Sequence, residues 1–273
     1  MRASRHGFSL VELSIVLVIL GLLVGGITAG RSMVRASEVR GIVTDAMTYA
    51  VGIQNFRDKY GALPGDMRDA QRIWGNAGGG GVNTDCTTPN TTASVGALTC
   101  NGDGDGFISE SGTIVEVFRA WQQLSAAGLI TGRFSGIPGP NSAQHSLFTG
   151  ATANAPSSTI TNAGFHVGSY GIIDATTPST TTNFDGDYNN TLFFGRAVTD
   201  SYPNGTAITP SEAWGIDSKV DDEMPALGSI RSYKPYASMP NCVSGTTVAA
   251  VYNKTYADNA CMLFFLNSFK ARQ

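Results

Sequence analysis

From residue 8 to residue 27 nearly every position is apolar or small, and Glu12 is the one charged side chain in the run. A stretch of that length can cross a bilayer as a helix. Beyond it the pattern changes without stopping. Val39, Ile42, Val43, Ala46, Met47, Ala50, Ile53, Phe56 and Tyr60 recur at three- and four-residue steps, which is the stripe of an amphipathic helix. No proline precedes Pro64. One helix is therefore predicted from residue 8 to about residue 59, spanning roughly 80 Å at about 1.5 Å per residue. Gly25, Gly26 and Gly30 are its weak points, since glycine costs about 1 kcal/mol in a helix. The sequence Tyr60-Gly61-Ala62-Leu63-Pro64-Gly65-Asp66 supplies a Gly–Pro stop.

Past that stop the pattern is of shorter range. Residues 67–74 read as a short helix, and residues 75–82 are glycine-rich. Val117, Trp121, Leu124 and Ala127 have helical spacing, so a helix is predicted over residues 113–127, ending at Gly128. Residues 131–158 carry the Gly, Pro, Ser and Thr of a long loop. Residues 164–173 and 191–198 are rich in apolar, aromatic and β-branched side chains between turn signals, and read as strands. Thr209-Pro210-Ser211-Glu212 is a helix start, with Thr as the cap, Pro in the first turn and Glu placed for a capping box. That helix is expected to run to about residue 222. Residues 246–252 and 260–266 read as a closing strand pair. The predicted fold is α+β: a long N-terminal helix whose outer half docks a globular head with an antiparallel β-sheet. The divisions are residues 1–7, residues 8–60 with a membrane-spanning part at 8–27, and a head over residues 61–273.

Composition adds an environment. The chain has 273 residues and a net charge of only −3, so no basic field for nucleic acid is expected. Abundant Gly, Thr, Ser and Asn suit a loop-rich head outside the cytoplasm. The four cysteines, Cys86, Cys100, Cys242 and Cys261, form an even set, which in an exported chain reads as disulfides. Four cysteines allow three pairings, and sequence proximity favours Cys86–Cys100 and Cys242–Cys261. No Cys-x-x-Cys pair is present to support zinc.

The head's most specific motif is Asn101-Gly102-Asp103-Gly104-Asp105-Gly106-Phe107-Ile108-Ser109-Glu110. Oxygen side chains at alternate positions, a glycine for the turn and an apolar residue two later match the first part of a calcium loop. Asn101, Asp103, Asp105 and Phe107 are its candidate ligands for Ca²⁺. The twelfth position, where such loops carry a bidentate Glu, is Gly112. Glu110, Glu116 or Asp66 would have to supply the missing carboxylate. An ion-free Asx turn is the alternative. Asn183-Phe184-Asp185-Gly186-Asp187 is a weaker second candidate. No Gly-x-Ser-x-Gly, P-loop or His-Glu-x-x-His is present, and His6, His145 and His166 sit in no recognisable motif, so no enzyme is predicted.

The N-terminus carries a resemblance. Gly7-Phe8-Ser9-Leu10-Val11-Glu12-Leu13 with its apolar continuation, behind the basic leader Met1-Arg2-Ala3-Ser4-Arg5-His6-Gly7, resembles the start of type IV pilins and type II secretion pseudopilins. The likeness is strong over residues 1 to about 60. Residues 56–66 and 213–222 also resemble large-headed members. The resemblance implies that prepilin peptidase cuts between Gly7 and Phe8 and that the new Phe8 terminus is methylated. It implies that Glu12 acts in subunit docking, and that a disulfide braces the C-terminal region. It further implies an assembly ATPase and an inner-membrane platform protein as partners.

The chemistry agrees. A free Phe8 ammonium lies one helical turn before Glu12, so this carboxylate can neutralise its own amine or a neighbour's. A shared pair would set register between subunits, as buried polar groups do in coiled coils. The arginines of the leader stay on the cytoplasmic side. The expected protein is a self-assembling structural subunit, a single-pass inner-membrane precursor that becomes a periplasmic or extracellular filament. A pseudopilin, a minor pilin with a ligand-binding head, and a membrane-anchored binding protein that never polymerises are the alternatives.

Overall fold

The computed structural model describes residues 9–77, 98–109, 116–137, 153–174, 182–198, 202–235 and 239–266. The chain divides into two compact units, Met1–Arg40 and Gly41–Gln273.

In the first unit the described chain after Ser9 belongs to α1 (Leu10–Tyr60). The helix continues through Gly25, Gly26 and Gly30 without a break. Between these glycines Thr28 Oγ1 donates to the carbonyls of Val24 and Gly25, a back-bond that keeps its hydroxyl satisfied without leaving the helix. The large apolar side chains from Leu10 to Ile27 are all at least half exposed. This helix is long and apolar enough to cross a membrane.

In the second unit α1 behaves in the opposite way. Ile42, Ala46, Ala50, Ile53 and Phe56 of the predicted stripe are buried, while Val39, Val43 and Tyr60 are half-buried and Met47, on its edge, is exposed. Beside the stripe, Tyr49 and Gly52 meet α3 (Glu116–Ala126) and the loop after it. A Cβ on Gly52 would lie 3.2 Å from Ile130 Cγ2, so the small residue allows that close approach. Tyr49 is held edge-on by Trp121 and Phe165, at 5.2 and 5.1 Å between ring centroids. Phe56 stacks on Trp74 of α2 (Ala70–Trp74).

Among the described residues the main sheet has four antiparallel strands in the order β1-β4-β6-β5. They are β1 (Ala163–Gly168), β4 (Thr191–Arg196), β5 (Ile230–Arg231) and β6 (Leu263–Phe265). In register, Phe165 opposes Phe194, and Phe194 opposes Leu263. That face meets Tyr49 of α1. The opposite face presents His166, Phe193 and Phe264 to a second cluster that includes Tyr188, Tyr233 and Met262. Both faces are covered, so β1 is buried at every position and its sequence shows no alternation. His166 is a core residue there: its Nε2 lies 3.0 Å from the Tyr170 hydroxyl, and its ring stacks on Tyr202.

Two expectations need correction. Residues 164–173 form β1 and a separate β2 (Ile172–Ile173), which pairs with β3 (Gly186–Asp187) in a small second sheet. Residues 246–252 are not a strand. Ala250 N–H donates to Thr247 O in a turn, and Val248 and Val251 are exposed. Strand propensity measures fit to a half-buried pleated surface, and both flanks of β6 are already taken by β4 and β5. The predicted capping box is present at α4 (Pro210–Val220). Thr209 Oγ1 accepts from Glu212 N–H at 3.2 Å, and Glu212 Oε2 accepts from Thr209 N–H at 2.9 Å.

Candidate functional site

The acidic loop is tied into the head by its own backbone. Asp105 N–H donates to Asp103 Oδ1 and Phe107 N–H to Asp105 Oδ1, two Asx turns in succession. Gly104 and Gly106 take positive φ, at 67° and 90°, which this tight winding requires. Gly102 N–H donates to Met67 O, and a Cβ on Gly102 would collide with the backbone of Gly65 and Asp66. Only glycine lets the loop lie that close to the segment that follows α1.

This approach assembles carboxylates from three segments. One oxygen from each of Asp66, Asp103, Asp105 and Glu116 lies within 4.8 Å of the other three. Glu116 stands in the first turn of α3, and its two oxygens accept from Asp103 N–H (3.1 Å) and Ser109 N–H (2.8 Å). Asp66 Oδ2 accepts from Gly106 N–H, while Asp66 Oδ1 is buried without a hydrogen-bond partner. At a 4.8 Å separation each pair of charges repels by about 3.5 kcal/mol at an effective dielectric of ~20. Burial pushes Glu116 up to about 8 and Asp66 up to about 6. Nearby backbone N–H groups pull both down, and the neighbouring carboxylates push both up. None of the four makes an ion pair among the described residues. Arg68 packs its side chain across Gly104 without doing so.

Of the candidate ligands, Asp103 and Asp105 come together with Asp66 and Glu116, the two carboxylates from outside the loop. Asn101 is used differently. Its Oδ1 accepts from Gln71 N–H at 2.9 Å, capping α2 where Asp69 makes no side-chain cap. Phe107 is partly exposed and contributes its N–H to Asp105. Glu110 and Gly112 lie outside the described residues. Asp185 and Asp187 of the second candidate belong to no such cluster among the described residues: Asp187 accepts from Asn189 N–H, and Asp185 faces Lys234 at 3.9 Å.

One residue of this site has no signal in the sequence. Asn190 Oδ1 accepts from Ile108 N–H and its Nδ2 donates to Gly106 O, both at 2.8 Å, so its amide clamps the loop onto the sheet. Its φ of 48° is left-handed, a conformation Asn tolerates better than most side chains. The preceding Asn189 and the following Thr191 are equally polar, so only the fold singles out this amide.

Cys242 and Cys261 are joined, with Cα atoms 5.0 Å apart. The bond ties the loop at Cys242 to the residue two before β6, not a strand pair. Cys100 is buried and also disulfide-bonded, and Cys86 lies outside the described residues.

At the N-terminus, Gly7 and Phe8 lie outside the described residues. Glu12 is described. Its Oε2 accepts from Ser9 N–H at 2.8 Å, while Ser9 Oγ accepts from Val11 N–H at 3.2 Å. Ser9 and Glu12 thus cap the start of α1, and the Ser-x-x-Glu spacing that signals it is legible in the sequence. Residues 2–28 match the family of the prokaryotic N-terminal methylation motif. No curated protein and no solved structure matches the chain. The match covers this N-terminal segment alone: a prepilin-type methylation motif that overlaps the apolar start of the long helix α1.

Proposed function

We propose that the chain is a structural subunit of a type IV pilus-like filament. Prepilin peptidase cuts after Gly7, the Phe8 amine is methylated, and the subunit waits in the inner membrane as a single-pass protein. An assembly ATPase and a platform protein then move it into the filament, in the periplasm or outside the cell. The observation that carries this is the surface of α1 from Leu10 to Ile27. It is apolar on all sides, at least half exposed at every large side chain, and interrupted by one carboxylate, Glu12. Such a surface must be covered by lipid or by like helices. A helix that leaves the bilayer for a bundle of its own copies keeps it dry in both states.

The test is mass spectrometry of the N-terminal peptide from protein made in its native host. The expected peptide begins at methylated Phe8. A chain that retains Met1, or one cut near Ala29, removes the free Phe8 amine and overturns the proposal in favour of an anchored or secreted binding protein.

A further inference from the structure

We propose that Asp66, Asp103, Asp105 and Glu116 together hold one Ca²⁺ ion. The site lies wholly within the second unit and does not depend on the filament assignment. Two independent observations point to a cation. The first is the set of donors: four carboxylate oxygens within 4.8 Å of one another, with no ion pair to offset them among the described residues. The second is Asp66 itself. It is 3 % exposed, and its Oδ1 is buried without a hydrogen-bond partner. A buried carboxylate oxygen with no donor is costly unless something positive meets it.

The donor chemistry selects the ion. All four ligands are hard oxygens, and no His or Cys among the described residues joins the cluster, which disfavours zinc and copper. Mg²⁺ demands a near-ideal octahedron and gives up its water reluctantly, whereas Ca²⁺ accepts varied geometry and more oxygens. The loop also departs from the usual register in a way that the fold repairs. Its first position, Asn101, is occupied in capping α2. Its twelfth is Gly112, which carries no ligand. Asp66 supplies a carboxylate from the segment after α1, and Glu116 supplies one from the first turn of α3. Backbone N–H groups of Asp103, Asp105, Gly106, Phe107 and Ser109 donate to these carboxylates, aiming them while leaving lone pairs free. The ion would fasten three pieces of chain that otherwise meet as like charges.

The experiment uses the full chain in detergent micelles, stripped with chelator and titrated with CaCl₂ by calorimetry. Thermal unfolding is recorded in parallel, in chelator and in 5 mM CaCl₂. One ion per chain is expected, with Kd in the range of about 10⁻⁵–10⁻³ M and a rise in melting temperature of about 2–15 °C, larger for tighter binding. Asp105→Asn weakens binding at least ~10-fold; Asp105 is exposed and Asn keeps the turn to Phe107 N–H, so this variant folds. Asp66→Asn weakens it comparably, while Asp185→Asn leaves it unchanged. Absence of both heat and melting shift in the parent overturns the proposal. So does unweakened binding in both Asp66→Asn and Asp105→Asn, which would put the ion elsewhere.

Discussion

Asp217 shows how one buried carboxylate couples the head to pH. It lies on α4, fully buried, and Tyr252 Oη donates to its Oδ2 at 2.8 Å while Glu223 N–H donates to its Oδ1. Burial pushes it up from 3.8 to about 6; the two hydrogen bonds lower it, and Asp222 and Asp221 raise it again. A carboxyl raised in the folded state is protonated there while the unfolded chain is already ionised. Its contribution is therefore present below pH ~4 and lost as pH rises to ~6, after which it is constant. Asparagine at this position can still accept from Glu223 N–H and can donate to Tyr252. Asp217→Asn is expected to match the parent near pH 4 and to exceed its stability above pH 6 by on the order of 2 kcal/mol. Urea unfolding in chelator at several pH values measures that gap, and a gap that stays constant with pH would refute it. From the sequence alone, the acids of residues 213–222 read as a solvated helix face. The reason is physical: Asp217, Asp221 and Asp222 look alike in sequence, and only the seating of Tyr252 buries the first.

Elements were legible where local chemistry decides them, and illegible where partners do. The Thr209–Glu212 box and the glycine after Ala127 fix helix ends through their own hydrogen bonds and backbone angles, so both could be read directly. The two-residue strands β2, β3 and β5 exist because a neighbour offers an edge, and no pattern of two residues can announce that. The C-terminal region combines both cases. Residues 246–252 have strand composition yet form turns, so their position depends on the Cys242–Cys261 bond, which closes a loop of 19 residues. A loop of that length restricts the unfolded chain by about 3 kcal/mol. Replacing both cysteines by alanine is expected to lower unfolding free energy by about that amount, read as a lower urea midpoint at nearly unchanged slope. A loss below ~1 kcal/mol would mean that packing around Cys261 and Met262 holds this segment without the bond.

At the scale of the whole molecule, Glu12 has two tasks that one substitution would confuse. Its carboxylate caps α1 through Ser9 N–H, and it is the one charged side chain on the apolar surface from Leu10 to Ile27. A lone carboxylate costs about 2.5–3.5 kcal/mol at the centre of a membrane-spanning helix and less near its end, where Glu12 stands; a neutral Ser, Thr or Asn would cap without that cost, so capping alone is a weak reason to carry one there. Glu12→Ala removes the cap and the charge together. Glu12→Gln keeps an acceptor for Ser9 N–H and removes only the charge. If the charge pairs with a processed Phe8 amine during docking, both variants are cut after Gly7 and accumulate in the membrane, and both give at least ~10-fold less sheared filament on immunoblots. If the cap is what matters, Glu12→Gln assembles like the parent and only Glu12→Ala fails. Normal filament yield from Glu12→Gln would therefore remove the ion pair from assembly while leaving cleavage and the apolar packing of α1 intact.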